Sequence, residues 1–213
     1  MNPSVARHDT PDRGDKHRFL FHAEDSLLLV TGIQERICAA AEPEYRETCL
    51  KNSYILTRSA MSLHLPIIVS EQLPERMGKT IETFDGLLTD QPRIEKLMFS
   101  CWREGEIRAA IKGQSCKTVI IAGLEAHVCI LQTVMDLLCN GYHPVVAMDA
   151  VCSRSAYHRQ AALEAMAQAG AVLYPTESIV FMLMNTADTP LFDSTLDLLG
   201  WDIPPYTYPP KVA

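Results

Sequence analysis

Several familiar signatures are missing from this chain. It has no C-x-x-C pair, although it carries seven cysteines. An odd number of unpaired spacings argues for reduced thiols rather than a disulfide framework or a zinc cluster. It has no G-x-G-x-x-G and no G-x-x-x-x-G-K-[ST], so dinucleotide and P-loop chemistry lose their main support. It has no internal repeat. No apolar run is long enough to span a bilayer, which speaks against a membrane protein. Lys and Arg number 19 against 26 Asp and Glu, a net charge of -7. No basic run interrupts that balance, so nothing offers a phosphate-binding surface; nucleic acid is not an expected partner, and a ribonuclease reading has little support.

What is present is an ordinary globular composition. The chain has 213 residues, of which 47% are apolar and 21% charged. That suits one α/β domain with a sizeable core. The segment Met1 to Arg18 is polar and mixed in charge. It lacks the apolar run of a secretory signal, and Asp9, Asp12 and Asp15 are out of place in a transit peptide. Residues 1–18 therefore read as a loose N-terminal arm, 19–200 as the domain, and the cytoplasm as the default location. Residues 201–213 hold Pro204, Pro205, Pro209 and Pro210, which cannot continue a helix. They read as an extended C-terminal arm that packs on a neighbouring subunit.

Short apolar runs alternate with helical patterns. Strands are expected at Ser26–Ile33, Pro66–Ser70, Ile94–Phe99, Thr118–Leu124, Pro144–Met148 and Ala171–Tyr174. Helices are expected at Glu44–His64, Glu104–Lys112, His127–Asn140 (stopped by Gly141) and Ala156–Ala169 (stopped by Gly170), with two short ones near Glu177–Met184 and Pro190–Leu199. Continuous apolar strands imply burial on both faces, hence a parallel sheet between helices. The expected architecture is α/β: a doubly wound, six-stranded, mainly parallel sheet in the order 3-2-1-4-5-6, a Rossmann-like three-layer sandwich. Function in such folds sits at the carboxyl ends of the strands.

The fourth strand runs into Gly123-Leu124-Glu125-Ala126-His127-Val128-Cys129. This places Cys129 in the first turn of a helix, where free N–H groups and the helix dipole favour a thiolate and could hold an oxyanion. From position alone, a nucleophile and a buried inert thiol are equally open. Lys96 lies in the third apolar run. It reads first as a snorkelling surface residue. Held inward beside Cys129, it would lower the thiol's pKa and could bind a substrate carbonyl. His127 next to Cys129 suggests a Cys–His pair, but neighbours on a helix point apart. Glu71 and Glu75 follow the second strand. Cys152, Ser153 and Ser155 follow the fifth, where turns and caps are the usual role.

Together these segments resemble the isochorismatase-like superfamily of cysteine hydrolases from about Leu27 to about Leu199. Gly123–Ser155 is similar to that family's strand, Cys-bearing helix and Asp-Ala-x-x-Ser-Arg turn. Glu71–Gly78 and Lys96–Ser100 resemble its metal-free branch. The resemblance implies a catalytic Cys at Cys129, a catalytic Lys at Lys96 and an oxyanion hole from the N–H groups of Glu125 and Cys129. It implies hydrolysis of a small amide or a related C–N or ether bond, and a homo-oligomer. It also implies a non-proline cis peptide between Leu124 and Glu125. The zinc-dependent relatives use His after the second strand; Glu71–Gly78 has none, so no metal and no other cofactor is expected. The family's Asp, in an Asp-x-Gln pattern, falls on Gly32 of Val30-Thr31-Gly32-Ile33-Gln34. Loss of that proton acceptor implies an impaired enzyme, since general acid/base groups contribute about 10²–10⁴ in rate. The alternative is a non-catalytic oligomeric member with a ligand-binding or structural role.

Overall fold

The structure, a computed structural model, describes residues 19–201. The arms expected over 1–18 and 201–213 lie outside the described residues. The exception is Trp201, whose ring meets that of Phe181 at 5.9 Å.

In chain order the elements are β1 (Ser26–Thr31), α1 (Glu35–Ala40), α2 (Pro43–Ser62), β2 (Ile67–Gln72), α3 (Pro74–Met77), α4 (Glu82–Leu87), β3 (Arg93–Lys96), α5 (Gly105–Gly113), β4 (Thr118–Leu124), a π-helical turn (Ala126–Ile130), α6 (Leu131–Cys139), β5 (His143–Cys152), α7 (Ala156–Ala169), β6 (Val172–Tyr174), α8 (Thr176–Met184) and α9 (Phe192–Leu199). The strands form one sheet in the order β3-β2-β1-β4-β5-β6. Every pairing is parallel. The expected fold and strand order are therefore present.

The alternation of side chains along a strand divides the core in two. Leu28, Val30, Ile120 and Val145 face a layer that includes Leu56 and Ala60 of α2 and Ile179 of α8. Leu27, Leu29, Val119 and Val146 face Ile107 of α5, Leu137 of α6 and Met166 of α7. Both faces of β1 and β4 are fully covered, which is why those segments read as unbroken apolar runs.

Among the boundaries that differ from expectation, three have a clear local reason. Strand β1 stops at Thr31 because Gly32 takes a positive φ of 70°. Strand β3 stops at Lys96, and Leu97, Met98 and Phe99 curl outward, exposed at 70%, 53% and 54%. Strand β5 runs on to Cys152 because its pairing with β4 slips between Val146 and Val151. The irregular stretch of the strand is held by Asp149, whose Oδ1 accepts from both the N–H and the hydroxyl of Thr176.

Candidate active site

Four strand ends meet at the carboxyl edge of the sheet. Thr31 lies between Ser70 of β2 and Gly123 of β4 in register, so Gly32 emerges between those two strands. Gln72 pairs with Lys96 across β2 and β3. Glu125, just past β4, adopts a left-handed conformation at φ 64° and ψ 56°. That residue turns the chain sharply into the π-helical turn carrying Cys129. The Leu124–Glu125 bond is trans, since no cis peptide occurs among the described residues. The cis bond expected there is corrected: the left-handed Glu125 makes the reversal instead.

Lys96 is buried, 1% exposed, yet richly partnered. Its Nζ donates to Gln72 Oε1 at 2.6 Å, to the carbonyls of Phe99 at 2.9 Å and Met98 at 3.2 Å, and toward Cys129 Sγ at 3.5 Å. All four neighbours accept, which is the environment an ammonium requires. The snorkelling alternative is excluded by this burial. Cys129 Sγ also lies 3.9 Å from Gln72 Oε1. Burial pushes the Cys129 thiol up, and Lys96 pulls it back only in part. The depressed thiol pKa expected from the helix terminus and Lys96 is thus reversed, because desolvation of a thiolate outweighs one nearby cation here.

Sequence reading missed the two glutamines that build this corner. Gln34 is fully buried; its Nε2 donates to the carbonyls of Gln72 at 3.1 Å and Gly78 at 2.6 Å, and its Oε1 accepts from Gln72 N at 2.7 Å. Gln72 in turn donates through Nε2 to the carbonyls of Lys96 and Leu97, at 3.2 and 3.0 Å. With both N–H bonds committed, Gln72 Oε1 is fixed toward Lys96. Gln72 closes β2, a strand end of the kind that doubly wound sheets reserve for function, whereas Gln34, three residues past β1, carried no such mark.

The other sequence candidates fall into supporting places. Glu71 Oε1 accepts from Thr80 N and Oγ1, both at 2.6 Å, and so ties β2 to the approach to α4. Glu75 sits exposed on α3. His127 turns away from Cys129: its Nδ1 lies 3.0 Å from Ser153 Oγ and its ring stacks on His158 at 4.6 Å. Desolvation lowers the His127 pKa, against the pull of Glu125. Glu125 Oε2 pairs with Arg154 Nε at 3.3 Å. The N–H of Cys129 bonds the Glu125 carbonyl at 3.0 Å. Cys152 packs against Cys49, which lowers its pKa while that of Cys49 rises. Among the described residues, no group of three or more His, Cys, Asp or Glu is placed to hold a metal ion.

At Gly32 a Cβ would meet the Leu124 carbonyl oxygen at 3.3 Å and Ile37 Cδ1 at 3.9 Å. A side chain at Gly32 would therefore crowd the backbone at the end of β4 and be strained by the positive φ. The nearby Glu35 side chain packs over Gly78, where an added Cβ would lie 2.4 Å from Glu35 Oε2.

Residues 26–178 match the isochorismatase domain family. The chain belongs to that family. The secreted isochorismatase effector Isc1 of Phytophthora sojae is 35% identical over 71% of this chain and 74% of its own. Among solved structures, one described as the MAR1 ribonuclease of Caenorhabditis elegans is 33% identical, covers 91% of this chain and 99% of that one, and superposes with a TM-score of 0.79. The YcaC protein of Escherichia coli, described as an octameric hydrolase of unknown specificity, shares the fold. It has 20% identity, coverage of 84% of this chain and 90% of that one, and a TM-score of 0.78. No helix among the described residues is long and apolar enough to cross a membrane.

Proposed function

We propose that this isochorismatase-family protein uses Cys129 as a nucleophile toward a small amide or related C–N or ether bond, with slow turnover because Gly32 replaces a carboxylate. One observation carries the reading: Lys96 Nζ stands 3.5 Å from Cys129 Sγ inside a cage of acceptors. A buried lysine held at such expense is hard to explain by stability alone, since burying an ammonium costs several kcal/mol before its partners offset it.

Cys129 Sγ attacks the carbonyl carbon as its proton passes to solvent water, and the carbonyl electron pair moves to oxygen. Lys96 and the backbone N–H groups of Glu125 and Cys129 are the proposed donors to that oxygen. The Cys129 N–H must then share or release its bond to the Glu125 carbonyl. Collapse of the adduct breaks the C–N bond, and the leaving nitrogen takes a proton. Water then cleaves the thioester. Every step that moves a proton is one that Gly32 weakens, the loss of the thiol proton during the addition included.

Intact mass spectrometry with acrylamide and with a p-nitroanilide tests the reading. Addition to Cys129 should be seen, should vanish in Cys129→Ser, and should slow at least tenfold in Lys96→Met. Labelling that ignores both substitutions would overturn it. A second reading, a non-catalytic ligand-binding member, is favoured by Gly32 alone and predicts no acylation. The ribonuclease activity named for the C. elegans relative is not carried over, because a chain of net charge -7 without a basic run is poorly suited to RNA. A homo-oligomer is the proposed assembly.

A further inference from the structure

We propose that the groove between Leu20–His22 and α8 is the seat of this chain's own C-terminal arm, residues 202–213, held there as an extended proline-rich strap. The proposal does not depend on Cys129 or on any reaction.

The groove has a volume of about 490 Å³, a size that bound ligands commonly fill. One wall is Leu20–His22, which precedes β1. The other is a stripe of α8 that includes Glu177, Phe181 and Met182. The walls are mostly apolar, and apolar surface continues at the edge. Leu20 is 62% exposed, its neighbour Phe19 46%, and Trp201, whose ring meets Phe181, 48%. Exposed apolar surface gathered around a groove marks a place that something covers.

Three observations name the occupant. First, the arm starts at the groove. Helix α9 ends in a left-handed Gly200, whose N–H bonds the Asp197 carbonyl at 3.1 Å, while the N–H of Trp201 bonds that of Leu196 at 3.0 Å. This pair of bonds turns the chain out of the helix, and the Trp201 ring arrives 5.9 Å from that of Phe181, a residue of the groove. Second, the arm has the matching chemistry. It continues Ile203-Pro204-Pro205-Tyr206-Thr207-Tyr208-Pro209-Pro210. Ile203, Pro204, Tyr208 and Pro209 each precede a proline, which steers them to extended or polyproline geometry. That geometry repeats every three residues, so Ile203, Tyr206 and Pro209 share one face. Grooves lined by aromatic side chains take such segments because little chain freedom remains to be lost. Third, the tether favours this arm over any other. A segment joined so close to its seat meets it at an effective concentration in the millimolar range. At about 3.1 Å per residue, Ile203–Pro210 spans about 25 Å, whereas the α8 stripe from Glu177 to Asn185 rises about 12 Å. Residues 1–18 also adjoin the groove in sequence, but they carry seven charged side chains and no Phe, Tyr or Trp, a poor match to apolar walls.

The test uses the full chain with the photo-crosslinker p-benzoylphenylalanine in place of Tyr206. Irradiation should join that position to Leu20–His22 or to the segment from Phe181 to Asn185, read by peptide mass spectrometry. In a mixture of unlabelled and nitrogen-15 protein, each crosslink should stay within one isotopic species. Met182→Glu, which sets a charge in the groove, should abolish it. Deuterium exchange follows the arm without a probe. Amides from Phe181 to Asn185 should exchange about tenfold faster in a chain ending at Trp201 than in the full chain. A synthetic peptide of residues 202–213 at millimolar concentration should restore the protection. Crosslinks between the two isotopic species would give the groove to the arm of a second copy and overturn the proposal. Crosslinks to other surfaces, no crosslink, or exchange indifferent to the truncation would overturn it as well. Should the truncated chain or Met182→Glu fail to fold, the crosslink map of the full chain decides the matter.

Discussion

A methyl group on Gly123 would stand 1.8 Å from the carbonyl oxygen of Thr31. Gly123 also holds a φ of 138°, open in practice only to glycine. The close approach lets β1 and β4 end side by side, which sets Gly32 against the backbone of Leu124 at the end of β4. Gly123→Ala is expected to destabilise the protein by at least ~3 kcal/mol, because two backbones must separate rather than a side chain bend. Gly86→Ala in α4, with nothing within 4 Å of its added Cβ, is the matched control. It should be neutral or stabilising by about 0.5–1 kcal/mol. Thermal melts of both variants check the pair.

Stability should fall in alkaline solution. Burial raises the Cys38 pKa from 9.0 to about 11, and burial also pushes Cys129 up. Between those two values the unfolded chain gives up the Cys38 proton while the folded chain keeps it. The unfolded state then binds fewer protons, so stability drops as pH rises. Cys152, lowered by its bond with Cys49, acts in the opposite sense. Urea melts from about pH 8 to about pH 11 should show a loss on the order of 2 kcal/mol from Cys38. Cys38→Ala should flatten that slope.

Assembly is the third expectation. Leu97, Met98 and Phe99 are consecutive, exposed and apolar. Clusters of this kind on soluble proteins commonly mark contact surfaces. Light scattering should give a mass well above the 23.8 kDa of one chain, and Phe99→Glu should lower it. A wild type that stays at the monomer mass at working concentrations would refute the proposed oligomer.

The parallel, covered character of the sheet was legible because β1 and β4 are apolar on both faces. The pairing of Lys96 with Cys129 was reached through family resemblance; position alone had favoured an exposed lysine. The short helices α1, α3 and α4 were missed because each has too few turns to show a period. Gln34 and Gln72 were missed for a different reason. Their importance lies in hydrogen bonds between segments 38 residues apart, and no local pattern reports that. The direction of the Cys129 shift was misread because the helix terminus and Lys96 were visible in the sequence, whereas the depth of burial was not.

The cage around Lys96 is built partly from the backbone of the residues that follow it. Because Met98 and Phe99 hold the ammonium through their carbonyls, their side chains are turned outward on a loop that cannot shift without loosening the cation's grip. The Lys96–Cys129 corner and the exposed apolar knuckle are one mechanical piece. Whatever surface presses on that knuckle also adjusts how firmly the cation faces Cys129, so thiol reactivity should vary with protein concentration.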